Sequence, residues 1–156
     1  MKKTVEYLFA AVMGGVVYGA VETLWRGYTH PSMIFVGGIC FLLIYIYREH
    51  NASKRIVLCA AVGALIITTI EFVSGCILNL WLHLSVWSYR SLTPNLLGQI
   101  CPHYMVLWFL LSHPAVLLCD LMRQLWRDRL PAHSPDEPSG SSDKPDSSSS
   151  SSSSSP

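Results

Sequence analysis

Glu71 lies inside the longest apolar run of the chain, Ile56–Leu80. A carboxylate at such depth is costly in hydrocarbon, so it faces a protein interior or a water-filled cavity and marks a functional candidate. Ser74, Gly75 and Leu78 follow it at spacings of three, four and seven, which puts all four residues on one helix face. A carboxylate, a hydroxyl and a glycine together suit a polar path through a bundle. They equally suit a helix contact in which Glu71 is protonated or hydrogen-bonded. Two further titratable residues in the apolar runs are candidates. Glu22 lies near the outer end of the first run, and His113, beside Pro114, lies in the last and is a candidate partner for Glu71. Glu71, Glu22, His113 and Ser74 are therefore the candidate substrate-path residues. Covalent chemistry is not expected. The chain has no HExxH, no GxSxG and no nucleophile beside a base, so it does not read as an enzyme. Cys101 and His103 stand close together, with His83 in the same loop, but this is not the paired spacing of a zinc site. No metal or other cofactor is expected.

The elements that must position these residues are membrane spans. Only 13% of the 156 residues are charged, against roughly a quarter in soluble domains. Residues 1–130 hold ten Lys/Arg and six Asp/Glu, and residues 131–156 hold one Lys and four acids. The net charge of +1 thus combines a basic apolar part with an acidic tail, and neither is basic enough to suggest nucleic-acid binding. Five cysteines without a CxxC do not form a disulfide framework. They read as small packing residues, with a Cys76–Cys101 bridge as the alternative. The fold class expected is all-α: a polytopic membrane bundle of about four helices, spanning 5–25, 33–47, 56–80 and 104–122. These form one domain, 1–130, followed by a disordered Ser-rich tail, 131–156, that cannot bury apolar area.

The first run begins after Lys2 and Lys3 and reaches Trp25, 21 residues from Val5, close to the roughly 20 that a span needs. A signal peptide cleaved near Val17 and Gly19 is the competing reading, although Glu6 interrupts its apolar region. Gly15 and Gly19, four apart, give this helix a face that another helix can approach closely. Gly75 does the same for the third. The second run, Met33–Tyr47, has 15 uncharged residues, about 22 Å of helix, so it either spans with its polar flanks or is re-entrant. Pro31 can open it, and Asn51 or Ser53 can cap the third helix. Between the third and fourth runs lies Trp81–Pro102, whose Trp81, Trp87 and Tyr89 suggest an interfacial layer. Pro114 should kink the fourth helix. Asp120–Leu130 is basic and amphipathic, as expected of a helix running out along a cytoplasmic surface.

Lys2, Lys3, Arg48, Lys54, Arg55, Arg123, Arg127 and Arg129 fall on one side of this arrangement, and Arg26 and Arg90 on the other. That asymmetry places both termini in the cytoplasm. The segment Glu22–Gly27 also echoes Glu71–Gly75, each a Glu followed by aromatic and small residues near an outer helix end. Such an echo fits a duplicated hairpin of the parallel-repeat kind and fits chance equally.

Glu71, Gly75, Trp87, Tyr89, Asn95, Gly98 and Trp108 resemble a motif block that runs roughly as Glu-x-x-x-Gly, then Trp-Asp-Tyr-Ser, then Asn-x-x-Gly, then a Trp in the next helix. In this block, and in Gly19-x-x-Glu22, the chain resembles the bacterial ABC-transporter permease family of small integral membrane proteins called type IV or CmpB-like. The resemblance covers about two thirds of the chain. It departs at Ser88, which stands where the pattern has an acid, so whatever that acid holds is not expected here. The resemblance implies a multi-pass protein of the bacterial cytoplasmic (inner) membrane that acts as a transport component of unknown substrate. The alternative is an accessory or scaffold protein that binds another membrane protein through its glycine faces. The chain has no G-x-x-x-x-G-K-[ST] phosphate loop, so any nucleotide-binding subunit is a separate chain. Four helices enclose little space, which makes a homo-oligomer or a partner chain part of the expectation for a channel, with the lipid bilayer around it.

Overall fold

The computed structural model describes residues 2–128. The expected disordered tail, 131–156, lies outside the described residues. Four helices account for most of the rest: α1 (Lys2–Arg26), α2 (Pro31–His50), α3 (Ile56–Gly75) and α4 (Pro102–Asp128). Each is long and apolar enough to cross a membrane, and no named strand occurs among the described residues. The chain is an all-α, multi-pass membrane protein.

The expected spans are present with longer ends. α2 has 20 residues, about 30 Å of helix, so the polar flanks of its short apolar run complete a full-length span. Pro31 opens it, and the His30 ring accepts a hydrogen bond from the Ser32 N–H. The expected cap on α3 is not made by Asn51 or Ser53. Arg55 is the N-cap and offers no side-chain bond, while Asn51 closes α2, its Nδ2 donating to the Tyr47 carbonyl. α3 continues into a π-helical stretch, Cys76–Trp81, so the third span runs unbroken to Trp81. α4 remains one helix through Pro114.

Two antiparallel hairpins result. α1 packs along α2, α3 packs along α4, and α2 also touches α3 and α4. Glycines set the first contact. A Cβ on Gly15 would sit 2.7 Å from the Ile34 carbonyl oxygen, and one on Gly38 2.7 Å from that of Ala11. The backbones of α1 and α2 therefore approach as closely as small residues permit. Behind this contact lies the core of Ala10, Phe41, Ile44, Tyr45, Cys59, Val116, Cys119 and Met122. Cys40, Cys59, Cys101 and Cys119 are buried, and all five cysteines are free thiols.

At one end of the bundle Arg48 is a tie between elements. Its Nε and Nη2 bond the two carboxylate oxygens of Asp120 at 2.8 and 2.9 Å. Its Nη1 donates to the Asn51 and Lys54 carbonyls. One guanidinium thus fixes α2, the α2–α3 loop and α4, a fork geometry that lysine cannot reproduce.

Candidate functional site

Glu71 sits one turn before the π-helical stretch and is 5% exposed. Its Oε1 accepts the Tyr89 hydroxyl at 2.7 Å, and its Oε2 accepts the Trp108 indole N–H at 2.7 Å. Tyr89 belongs to the α3–α4 loop and Trp108 to α4, so one carboxylate joins three segments. Burial first, and the Glu71 carboxylate second, push the Tyr89 hydroxyl far above the ordinary tyrosine range. Tyr89 is therefore a proton-bearing donor. Hydrogen bonds of neutral donors to a carboxylate are the stronger kind.

The loop reaches Glu71 because it folds back into the bundle. Gly75 makes the room: a Cβ there would lie 2.6 Å from Gln99 Oε1 and 3.1 Å from Trp87 Cζ2. Asn79 then holds both limbs of the loop. Its Oδ1 accepts the Val86 N–H at 2.7 Å, and its Nδ2 donates to Gln99 Oε1 at 2.8 Å. The Trp87 indole donates to the Gln99 carbonyl at 3.2 Å. The Tyr89 N–H donates to the Gly98 carbonyl, and the Gly98 N–H donates to Asn95 Oδ1 at 2.9 Å. Gly98 adopts φ +68°, where a side chain is strained, and a Cβ there would meet Arg90 Cγ at 2.5 Å. The expected interfacial layer is corrected by this arrangement. Trp81 is exposed, but Trp87 and Tyr89 are buried, because their polar atoms find partners inside the protein.

Two adjoining cavities flank Glu71. The outer one, of about 560 Å³, is lined by Glu22, Arg26, Glu71, Ser88, Tyr89 and Trp108 among others. Glu22 is buried. Its Oε1 accepts Arg26 Nη1 at 2.8 Å, and its Oε2 accepts the Thr29 hydroxyl. Arg26 also donates to the Val86 carbonyl at 3.1 Å, which ties the first hairpin to the folded loop. The inner cavity, of about 230 Å³, is apolar apart from Glu71 and the Tyr18 hydroxyl, with walls that include Val17, Val36, Ile67, Leu111 and Leu118. Tyr18, Val21, Met33, Glu71, Trp108 and Leu111 line both.

The sequence pattern of one family, described as "Putative ABC-transporter type IV", matches residues 16–134. The chain belongs to that family. No curated protein matches it, and no solved structure does. The type IV match spans α2, α3, the folded loop, the whole of α4 and the C-terminal part of α1. Its motif residues in this chain are physically one unit. Glu71 is bonded to Tyr89 and Trp108, Gly75 lies against Trp87, and Gly98 is bonded to Tyr89 and Asn95. Ser88, the departure from the resemblance, is exposed and lines the outer cavity together with its buried neighbours Trp87 and Tyr89.

Of the candidate path residues in this type IV chain, Glu22 and Glu71 come together on one cavity. Ser74 does not join them. Its hydroxyl donates to the Ile70 carbonyl at 2.7 Å, and it lines neither cavity. His113 does not reach Glu71. Its Nδ1 lies 2.9 Å from the Phe109 carbonyl one turn back, its ring is edge-on to Phe109, and it lines neither cavity. Gly15 and Gly19 face Ile34 of α2, and Gly75 faces the loop, so all three close-approach faces are used within the chain. Among the described residues no three His, Cys, Asp or Glu side chains converge as a metal site would require. Sequence reasoning missed Arg26, Gln99 and Tyr18. The i,i+4 spacing of Glu22 and Arg26 was the available signal for the first. Nothing local announces Gln99, whose partners lie 12 and 20 residues away.

Proposed function

We propose that the chain is the membrane-embedded permease of an ABC transporter, and that the outer cavity is where it meets its substrate. In this reading the nucleotide-binding subunit is a separate chain. Residues 1–130 are the transport domain, 131–156 a cytoplasmic tail, and both termini face the cytoplasm of a bacterial inner membrane. The protein itself carries no catalytic residue. One observation supports the reading most: two buried carboxylates from different hairpins, Glu22 and Glu71, line the same cavity beneath a folded loop. Membrane proteins keep such residues at substrate or ion paths.

The test is a pull-down of the tagged chain after cross-linking in its native membrane, with mass spectrometry of the eluate. The permease reading expects a nucleotide-binding subunit in the eluate, whose ATP hydrolysis changes when Glu22 is replaced by Gln. Recovery of the chain alone contradicts it. Recovery of an unrelated membrane protein favours the accessory reading, and contact would then run through surfaces other than Gly15, Gly19 and Gly75.

A further inference from the structure

We infer that the joined cavities bind a single-chain amphiphile, with its hydrocarbon chain between α1 and α4 and a hydrogen-bond-donating, non-anionic head in the outer cavity. This deepens the permease reading by giving its substrate site a chemical class, but the binding itself does not require transport.

The helix arrangement leaves space for the chain. α1 and α4 are not packed along each other. They meet at Phe9 and Trp126 near one end and at Tyr18 and Trp108 further along. The inner cavity lies beside the Tyr18–Trp108 contact, with Val17 and Val21 of α1 on one side, Leu111 and Leu118 of α4 on the other, and Val36 and Phe41 of α2 behind them. Pro114 lacks an N–H and cannot bond back one turn. Val17 and Val21 are about 40% exposed, so this wall is reached from outside the bundle. A cavity within the membrane-spanning helices that is lined by apolar groups and part-exposed at Val17 and Val21 matches a hydrocarbon chain.

Polarity changes at one end of the cavity only. Glu71 stands at the junction, and beyond it Glu22, Arg26, Ser88, Ser91 and Tyr89 line the wider space. A carboxylate has about four acceptor sites, and each of these two uses two. Acceptor capacity therefore remains on both. Arg26, the one cation lining this cavity among the described residues, is already engaged by Glu22, Tyr28 and the Val86 carbonyl. Free acceptors with an occupied cation select a head that donates, such as an ammonium or polyol, over a phosphate.

The test uses the full-length chain in nanodiscs and a long-chain alkylammonium probe with a mid-chain diazirine. Photolabelled residues are mapped by mass spectrometry. The expected result is saturable labelling centred on Val17, Val21, Leu111 and Leu118. Unlabelled alkylammonium should compete about tenfold better than an alkyl phosphate of equal length, a factor that corresponds to about 1.4 kcal/mol. Val17→Trp and, from the opposite wall, Leu118→Trp should each reduce labelling strongly while leaving elution volume unchanged. Unsaturable labelling spread over lipid-facing residues such as Leu8, Val57 and Leu65 would overturn the proposal. Equal competition by the phosphate would overturn the assignment of the head. Saturable labelling in a chain that recruits no nucleotide-binding subunit would support this site and remove the permease reading alone.

Discussion

The two hairpins solve the same problem by different means. In the first, four residues, Gly27–His30, join α1 to α2, and the buried carboxylate Glu22 takes its partners from positions four and seven residues on. In the second, a long loop separates the helices, and Glu71 takes its partners from positions 18 and 37 residues away. The first carboxylate is satisfied by its own helix end. The second is satisfied only when the loop has folded inward and α4 has docked. Local pairing makes Glu22 nearly independent of the rest of the fold, whereas Glu71 reports on all of it.

The contrast predicts a ranking. Glu71→Ala leaves the Tyr89 hydroxyl and the Trp108 indole buried without an acceptor, at about 1–3 kcal/mol for each orphaned group. Thermal unfolding in detergent should show the largest loss of any polar substitution here, together with proteolytic nicking of the loop. Glu22→Ala should cost clearly less, because Arg26 keeps the Val86 carbonyl and Tyr28. Equal losses for the two would break the comparison.

Glycine substitutions sharpen it. Gly15→Val must displace the Ile34 backbone, whereas Gly19→Val meets side chains alone, Ile34 at 3.2 Å and Thr29 at 3.9 Å. Overpacking costs about 1–3 kcal/mol, and the first should fall at the top of that range and the second near the bottom. Gly75→Ala pushes on Gln99 and Trp87 instead, so it should expose the loop to protease while leaving the α1–α2 contact intact. Tryptophan fluorescence would follow Trp87 into a wetter environment. Arg48→Lys should cost about 1.5–3 kcal/mol, the worth of a hydrogen bond to a charged group, since lysine loses the two-pronged contact with Asp120 and the loop carbonyls. Tyr89→Phe removes one hydrogen bond to a carboxylate, about 1.5–3 kcal/mol. It should cost less than Glu71→Ala because Trp108 still satisfies one Glu71 oxygen and the ring still fills its place.

Glu71 was legible in the sequence because a charge in an apolar run is conspicuous whatever surrounds it. The four spans were legible from run length, even the short second one, since helices extend into polar flanks. Trp87 and Tyr89 were misplaced because residue type alone assigns them to a membrane interface. Their burial depends on space left by Gly75 and on the bracket that Asn79 and Gln99 form, which only the folded loop brings together. His113 was misplaced for the opposite reason. Its run was right, but helix rotation decides which way a side chain faces, and no pattern in α4 fixed that. The Arg48–Asp120 tie joins positions 72 apart, and each residue alone looks like an ordinary charge at a helix end.

The α3–α4 loop is folded into the bundle and latched by Glu71. Amide hydrogen exchange of the full chain in nanodiscs tests it most directly. Slow exchange at Tyr89, Leu96, Gly98 and Gln99, whose N–H groups are bonded within the loop or to Asn95, should become fast in Glu71→Ala while α1 and α2 stay protected. Fast exchange across 86–100 in the unaltered chain, or no change on substitution, would contradict the account.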